Sequence, residues 1–137
     1  MYYIGIDLGG TNIAAGLVNE NGEIICKKST PTLSSRTPEE IVKDMAQISL
    51  DVAKDAGVSL DDVASVGIAC PGFIEKKLGI LITGANLPFS DYELRKEMNK
   101  YIDKPIYVIS NPSINGCGPR FLAINLCFVI FGTKIRN

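Results

Sequence analysis

The sequence predicts an α/β fold, a mixed sheet with flanking helices, for a chain of 137 residues. Three observations carry this prediction. Three apolar segments separated by glycine-containing turns open the chain, an amphipathic helical pattern follows them, and two further apolar strands alternate with a second helix. With 46% hydrophobic and 21% charged residues, the chain is long enough to bury one core and no more.

The strands are predicted from apolar runs bounded by turn residues. Residues 2–7, 13–19 and 23–29 form an antiparallel meander, because a Gly-Gly turn separates the first two and an Asn-Gly turn precedes the third. Residues 63–69 form a buried strand that ends before Pro-Gly, and residues 106–109 form the next strand.

Two helices are predicted between these strands. The first begins at Thr37-Pro38-Glu39-Glu40, where the threonine can cap the helix and the proline suits its first position, and Gly57 ends it. Ser90-Asp91-Tyr92-Glu93 is a second capping box that opens the next helix. The inward positions are Ile41, Met45, Ile48 and Val52 in the first helix, and Leu94, Met98 and Ile102 in the second.

The turn between the first two strands carries polar groups suited to an anionic ligand. Gly9 and Gly10 have no Cβ and can take positive φ, so their N–H groups can approach a phosphate oxygen, and Thr11 and Asn12 add side-chain donors. Asp7, at the end of the first strand, is placed to hold a hydrated cation beside the phosphates. The simpler interpretation is a hairpin in which Gly-Gly only makes the turn, but it does not explain the flanking carboxylate.

Two later loops follow strands, at positions where α/β sheets bind ligands. Gly72 lets the backbone approach a small ligand, although a tight turn that needs glycine explains it equally well. Asn86 can both donate to and accept from a hydroxyl group, but an Asn ahead of a proline-containing turn is often structural.

Four stretches in this order resemble the ROK family of sugar kinases and related proteins, above all its glucokinase-type members. They are Tyr3–Val18, Gly67–Ile74, Gly84–Phe89 and Lys104–Val108. Members usually have lysine where Asn12 stands. The resemblance implies the fold that the element order also indicates, the ribonuclease-H-like domain of the actin, sugar kinase and Hsp70 group, here as an N-terminal domain over residues 1–109.

The resemblance also implies a chemistry, ATP-dependent phosphorylation of a hexose. ATP and magnesium would be the cofactors, with the ion held by Asp7 indirectly, through water. The sugar would meet Gly72, Asn86 and Asn111. The family's zinc-binding cluster and adenosine pocket lie in a part that is absent here, so no zinc site is expected.

The catalytic residue of the family is missing. Relatives carry Asn-Asp after the last strand, with the Asp as the base that takes the proton from the sugar hydroxyl, whereas this chain has Asn111-Pro112. Proline can neither accept a proton nor donate a backbone N–H. No Asp or Glu follows Asp103, so no later carboxylate can substitute for the base.

Residues 110–137 are atypical of the family. They lack acidic residues, and the apolar run from Phe121 to Gly132 matches neither a helical pattern nor an alternating strand. This indicates a frameshifted or truncated sequence near Ser110, with the C-terminal domain absent. The alternative is a naturally short protein whose tail forms an edge strand or a contact between the subunits of a homo-oligomer.

Three functional hypotheses follow. The chain is the N-terminal domain of a hexose kinase, a sugar-responsive ROK-type regulator or other non-catalytic binding domain, or a fragment without activity. Met1 begins directly at the first strand, which leaves no room for an N-terminal helix-turn-helix and disfavours the regulator. The favoured prediction joins the first and third: a kinase by descent, inactive as this chain.

Composition limits the partners and the location. A net charge of −1 without a basic run argues against nucleic acid, and the longest apolar run is too short to span a bilayer. No signal peptide is expected, and four cysteines without CxxC spacing are expected to be reduced thiols. The expected location is cytoplasmic, with a small sugar and ATP as partners.

Overall fold

The computed structural model describes residues 1–84 and 86–110. These residues form eight strands and two α-helices. They are β1 Tyr2–Leu8, β2 Asn12–Val18, β3 Ile24–Pro31, α1 Pro38–Asp55, β4 Val63–Cys70, β5 Phe73–Glu75, β6 Ile80–Thr83, β7 Ser90–Tyr92, α2 Leu94–Asn99 and β8 Ile106–Ser110.

The main sheet has five strands in the order β3-β2-β1-β4-β8. The predicted meander is confirmed, since β1, β2 and β3 pair antiparallel, while β4 and β8 run parallel to β1. Each of the five predicted strands is present, with its ends shifted by at most two residues. The parallel strands bring the carboxyl ends of β1, β4 and β8 to one edge of the sheet.

Helix α1 begins and ends where the sequence predicts. The Thr37 hydroxyl accepts a hydrogen bond from the Glu40 N–H at 3.3 Å, and Pro38 occupies the first turn. After the helix, Gly57 has φ +72, and the Val58 N–H donates to the Ala53 carbonyl at 2.9 Å. That bond satisfies a carbonyl that the end of the helix would otherwise leave unpaired.

The core lies between α1, α2 and one face of the main sheet. The predicted inward residues of α1 are buried there, and they pack against alternate residues of the strands. Burial of one such aliphatic side chain stabilises the fold by about 1.5–3 kcal/mol. The fully buried side chains include Ile4, Ile6 and Leu8 of β1, Ile13 and Leu17 of β2, and Ile68 of β4.

The predicted capping box at Ser90 is wrong. Residues 90–92 form strand β7, in which Ser90 pairs with Thr83 and Tyr92 with Leu81. Ser90 and Tyr92 pair with β6, and Asp91 between them has φ +45, so Ser90 does not precede a helix. Helix α2 begins only after Glu93, whose side chain makes no capping hydrogen bond. The predicted inward residues Leu94, Met98 and Ile102 are nevertheless buried.

A three-stranded antiparallel sheet, β5-β6-β7, was not predicted. Arg95 joins it to the main domain, because its guanidinium donates to the carbonyls of Lys76, Lys77 and Ile106 at 3.0, 2.9 and 2.8 Å. Gly79 lies against this side chain. A Cβ at Gly79 would lie 2.5 Å from the Arg95 Cβ.

Several predictions concern residues outside the described part of the chain. Asn111, Pro112 and the apolar run from Phe121 to Gly132 all belong to this group. In the described ranges, no helix is both long and apolar enough to cross a membrane.

Candidate active site

The edge formed by the carboxyl ends of β1, β4 and β8 collects most of the predicted site residues. Asp7 stands in register with Ala69, and Ala69 with Ile109. The hairpin after Asp7, the Pro71-Gly72 loop and Ser110 therefore leave the sheet from neighbouring strands. Loops at such an edge are where open α/β sheets bind ligands.

The hairpin between β1 and β2 is held by hydrogen bonds within the loop and to β3. The Gly9 N–H donates to the Asn12 carbonyl at 3.0 Å, so this donor is already used. Just after β3, Thr32 is fully buried. Its hydroxyl donates to the Gly9 carbonyl at 2.7 Å, and its N–H donates to the Thr11 carbonyl at 2.9 Å. Thr32 thus fixes the loop from outside it.

This geometry refines the role of the two glycines. Gly9 and Gly10 are not among the glycines with positive φ, so the left-handed conformation that the sequence permits is not used. Gly9 is required by a close contact instead, since a Cβ there would lie 2.9 Å from the Asn12 carbonyl oxygen. In the described part of the chain, the N–H groups of Gly10 and Thr11 bind no internal acceptor. The tip of the loop therefore presents two backbone donors.

Asp7 is half-buried at the base of this loop. Its charge acts on Cys70, the last residue of β4. Burial, and to a lesser extent the negative charge of Asp7, raise the pKa of the Cys70 thiol to about 12. Cys70 is therefore a neutral, fully buried thiol and not a nucleophile, because the reactive form of cysteine is the thiolate.

Gly72 is fixed by contacts on both sides of its backbone. It has φ +114, and a Cβ at this position would lie 1.8 Å from the Thr83 carbonyl oxygen. Its own carbonyl accepts a hydrogen bond from the Ser110 hydroxyl at 2.6 Å. The tight turn therefore needs a glycine at position 72, and the contact of Gly72 with a sugar stays a prediction.

Asn86 lies at the tip of an exposed turn that follows β6. It has φ +58, a conformation that Asn tolerates better than most residues, and the Leu87 N–H closes the turn by donating to the Gly84 carbonyl at 3.2 Å. Behind the turn, Phe89 is buried and meets Tyr92 edge-on, with ring centroids 5.1 Å apart. The amide of Asn86 is thus exposed on an anchored loop.

Comparison with known proteins identifies the family. Residues 3–115 match the family model described as "ROK family". The chain belongs to the ROK family. This result confirms the resemblance seen in the sequence, and it confirms the predicted fold.

Among its relatives, a glucokinase from Thermotoga maritima is 32% identical over 106 residues, which are 77% of this chain and 32% of that protein. A xylose repressor from Caldicellulosiruptor bescii is 25% identical over 118 residues, 86% of this chain and 30% of that protein. A ROK family glucokinase from Streptomyces griseus, solved with glucose and AMPPNP, superposes with a TM-score of 0.71 at 28% identity. That superposition covers 80% of this chain and 33% of the glucokinase. The chain spans about a third of the length of the relatives described here.

The metal chemistry of a kinase can be tested against the residues of this ROK chain. Within the described ranges, no group of three or more His, Cys, Asp or Glu side chains could hold a metal ion. Mg²⁺ is usually bound through one or two carboxylates together with substrate phosphates and several waters. A single carboxylate beside a loop with free backbone donors fits that mode, and Asp7 stands beside the Gly9–Asn12 loop in this way. The described residues therefore fit an ion that arrives with its nucleotide.

Proposed function

We propose that this chain carries the N-terminal part of an ATP-dependent hexose kinase. The observation that supports this most is the position of the Asp7–Asn12 hairpin beside the Gly72 loop, at one edge of a ROK-type sheet. Phosphoryl transfer needs positioning and stabilisation of charge more than covalent chemistry by the protein. A phosphate loop and a hydroxyl-binding loop on adjacent strands meet that need.

Each group at this edge has a role in the proposal. The N–H groups of Gly10 and Thr11, with the side chains of Thr11 and Asn12, bind the phosphates of ATP. Gly9 closes the loop, and Asp7 holds magnesium through water. The sugar is bound by the Gly72 backbone and the amides of Asn86 and Asn111. The proposed location is cytoplasmic, a compartment in which thiols such as those of Cys26 and Cys70 stay reduced.

We further propose that these 137 residues do not complete the reaction by themselves. Pro112 stands where the family has its general base, and loss of such a base costs about 10²–10⁴ in rate. The chain also spans only 32% of the Thermotoga maritima glucokinase, so groups that relatives use to close the site can lie outside it.

A sugar-responsive regulator is the second candidate. The similarity to a xylose repressor supports it, and the exposed Asn86 amide would serve sugar binding without catalysis. The two proposals differ at the hairpin, because only a kinase requires the nucleotide phosphates to bind there. Nucleotide binding is therefore the measurement that separates them.

The test is an NMR titration of the purified chain with magnesium-ATP. We expect saturable shifts of the Gly10, Thr11 and Asn12 amides, with a dissociation constant on the order of 1 mM, because few contacts to the nucleotide are available. Asp7→Ala should weaken this binding. Asp103→Ala removes an exposed carboxylate away from the site and is the matched control. Shifts that are absent, or unaffected by Asp7→Ala, would contradict the assignment of the hairpin.

A further inference from the structure

A continuous series of contacts runs from the end of β8 to the turn that presents Asn86. Ser110, the last residue of β8, stands in register with Cys70 of β4. Two residues beyond Cys70, the Gly72 carbonyl accepts the hydrogen bond from the Ser110 hydroxyl at 2.6 Å. A bond of this length lies within the normal range for O–H···O hydrogen bonds. The hydroxyl thereby fixes the orientation of the Gly72 peptide.

The opposite side of Gly72 presses on the end of β6. A Cβ on Gly72 would lie 1.8 Å from the Thr83 carbonyl oxygen, 2.8 Å from its carbon and 2.9 Å from the Gly84 Cα. The two backbones are therefore in direct contact, and neither can move toward the other. A shift of the Gly72 backbone toward β6 would therefore displace the Thr83–Gly84 peptide.

The Thr83–Gly84 peptide leads directly into the Asn86 turn. The Gly84 carbonyl accepts the Leu87 N–H at 3.2 Å and so closes this turn. A Cβ on Gly84 would lie 3.0 Å from the Leu87 Cβ, so the turn is compact as well as hydrogen-bonded. The direction of the exposed Asn86 amide thus depends on where Gly84 is held.

We propose that Ser110 is a positioning residue, which acts through Gly72 and the Thr83–Gly84 peptide to hold the Asn86 turn at the edge of the sheet. This inference rests on the proposed function, because it assigns the turn to sugar binding. Ser110 contacts no sugar in this arrangement. Its hydroxyl joins the end of β8 to a loop 38 residues earlier in the chain.

The test compares Ser110→Ala with Ser110→Thr, which keeps the hydroxyl. In the alanine variant, loss of one hydrogen bond should speed amide exchange about three- to tenfold at residues 72–74, 84, 86 and 87, with no change in β1 and β2. The threonine variant should behave as wild type. Ser35→Ala removes an exposed hydroxyl and is the matched control. Unchanged exchange at these loops, or faster exchange spread evenly over the domain, would overturn the proposal.

A glucose titration gives the second measurement, which a purely structural role would not affect. We expect glucose to shift the Asn86 side-chain amide signal in wild type and Ser110→Thr, and to shift it about three- to tenfold less in Ser110→Ala at equal glucose. An equal shift in Ser110→Ala, despite faster exchange, would overturn the link to the sugar site. If glucose shifts no variant, the proposed function fails for this chain, while the exchange pattern still decides whether Ser110 holds the turn.

Discussion

Gly72 and Gly57 both have positive φ, but their surroundings differ. Gly72 has φ +114, and its backbone touches the end of β6, where a Cβ would meet the Thr83 carbonyl. Gly57 has φ +72, and nothing lies within 4 Å of the position that its Cβ would take. Gly72 is therefore required by a backbone contact and by conformation together, whereas Gly57 is required by conformation alone.

This difference predicts unequal costs for the same substitution. Gly72→Ala should lower the free energy of unfolding by more than about 3 kcal/mol or prevent folding, because a backbone carbonyl cannot move aside. Gly57→Ala should cost only about 1 kcal/mol, the cost of a left-handed alanine. Urea unfolding monitored by circular dichroism measures both. Equal losses in the two variants would show that the contact of Gly72 with β6 is not rigid.

Cys70 predicts how stability depends on alkaline pH. Burial raises the pKa of this thiol from 9.0 to about 12 in the folded protein. The unfolded chain therefore loses the proton first as the pH rises, and stability should fall between pH 9 and 12. Cys70→Ala should flatten this part of the stability curve, although it lowers stability at neutral pH by removing buried volume. Cys26→Ala, at a half-buried position in β3, is the control. A curve as steep in Cys70→Ala as in wild type would contradict the assignment.

At the level of elements, the small sheet formed by β5, β6 and β7 depends on a few contacts to the main domain. Arg95, in α2, supplies three of them, because its guanidinium donates to the carbonyls of Lys76 and Lys77 and its N–H donates to the Gly79 carbonyl at 3.2 Å. The same guanidinium also donates to the Ile106 carbonyl of β8. The planar guanidinium points its donors at the turn between β5 and β6 and at strand β8 at once. A lysine ammonium on its flexible stem cannot reproduce that geometry.

Arg95→Lys should therefore loosen the small sheet while it leaves β1 and β2 intact. We expect a loss of about 1–3 kcal/mol in local stability, because the carbonyls lose their fixed donors. Hydrogen exchange at residues 73–83 against residues 3–18 measures the effect. Lys96→Ala removes a neighbouring exposed ion pair to Glu93 and should cost less than about 0.5 kcal/mol. Uniform loss across both sheets would show that Arg95 stabilises the whole domain instead.

The elements that the sequence predicted are those with a repeated pattern. Strands of five to eight residues and the 18-residue helix α1 show their apolar period directly. The three-residue strands β5 and β7 are too short to show any period. Ser90 was misassigned because Ser-x-x-Glu suits a helix cap locally, whereas pairing with β6 decides the backbone.

The candidate site was likewise predictable only where its residues are consecutive in the sequence. Gly9 and Gly10 beside Asp7 form a local motif, so the hairpin is evident from consecutive residues. Thr32 and Ser110 were missed because their hydrogen bonds join residues 23 and 38 positions apart. Nothing in the neighbouring sequence marks either hydroxyl as a partner of a glycine carbonyl. Only the sheet order brings each pair together.

At the level of the whole molecule, the inactivity that we propose has two candidate causes, the proline at position 112 and the small share of its relatives' length that the chain spans. The chain matches a third of the Thermotoga maritima glucokinase, and position 112 is proline where the family resemblance implies an Asp. A general base contributes about 10²–10⁴ in rate. Positioning and exclusion of water by a closed site contribute more, up to about 7–11 kcal/mol of the barrier.

Two variants separate these causes. Pro112→Asp should give no measurable phosphorylation of glucose with magnesium-ATP, because the new carboxylate has no closed site in which to act. Joining residues 1–111 to the sequence of a complete relative, from its catalytic Asp onward, should give ATP-dependent sugar phosphorylation. A coupled assay for ADP measures both, and the wild-type chain should show only background. In the joined protein, Asp7→Ala should abolish activity, and Asp103→Ala should not.

The outcomes distinguish the two parts of the proposal. Activity in Pro112→Asp alone would show that the 137 residues already form a complete site, and that the replaced base is the whole defect. A joined protein that folds but remains inactive would show that the hairpin, Gly72 and Asn86 do not have the assigned roles. Activity that appears only in the joined protein, and is lost with Asp7→Ala, would mean that this edge of the sheet supplies half of a working site. Transfer of a phosphoryl group then requires the other half to be brought against it.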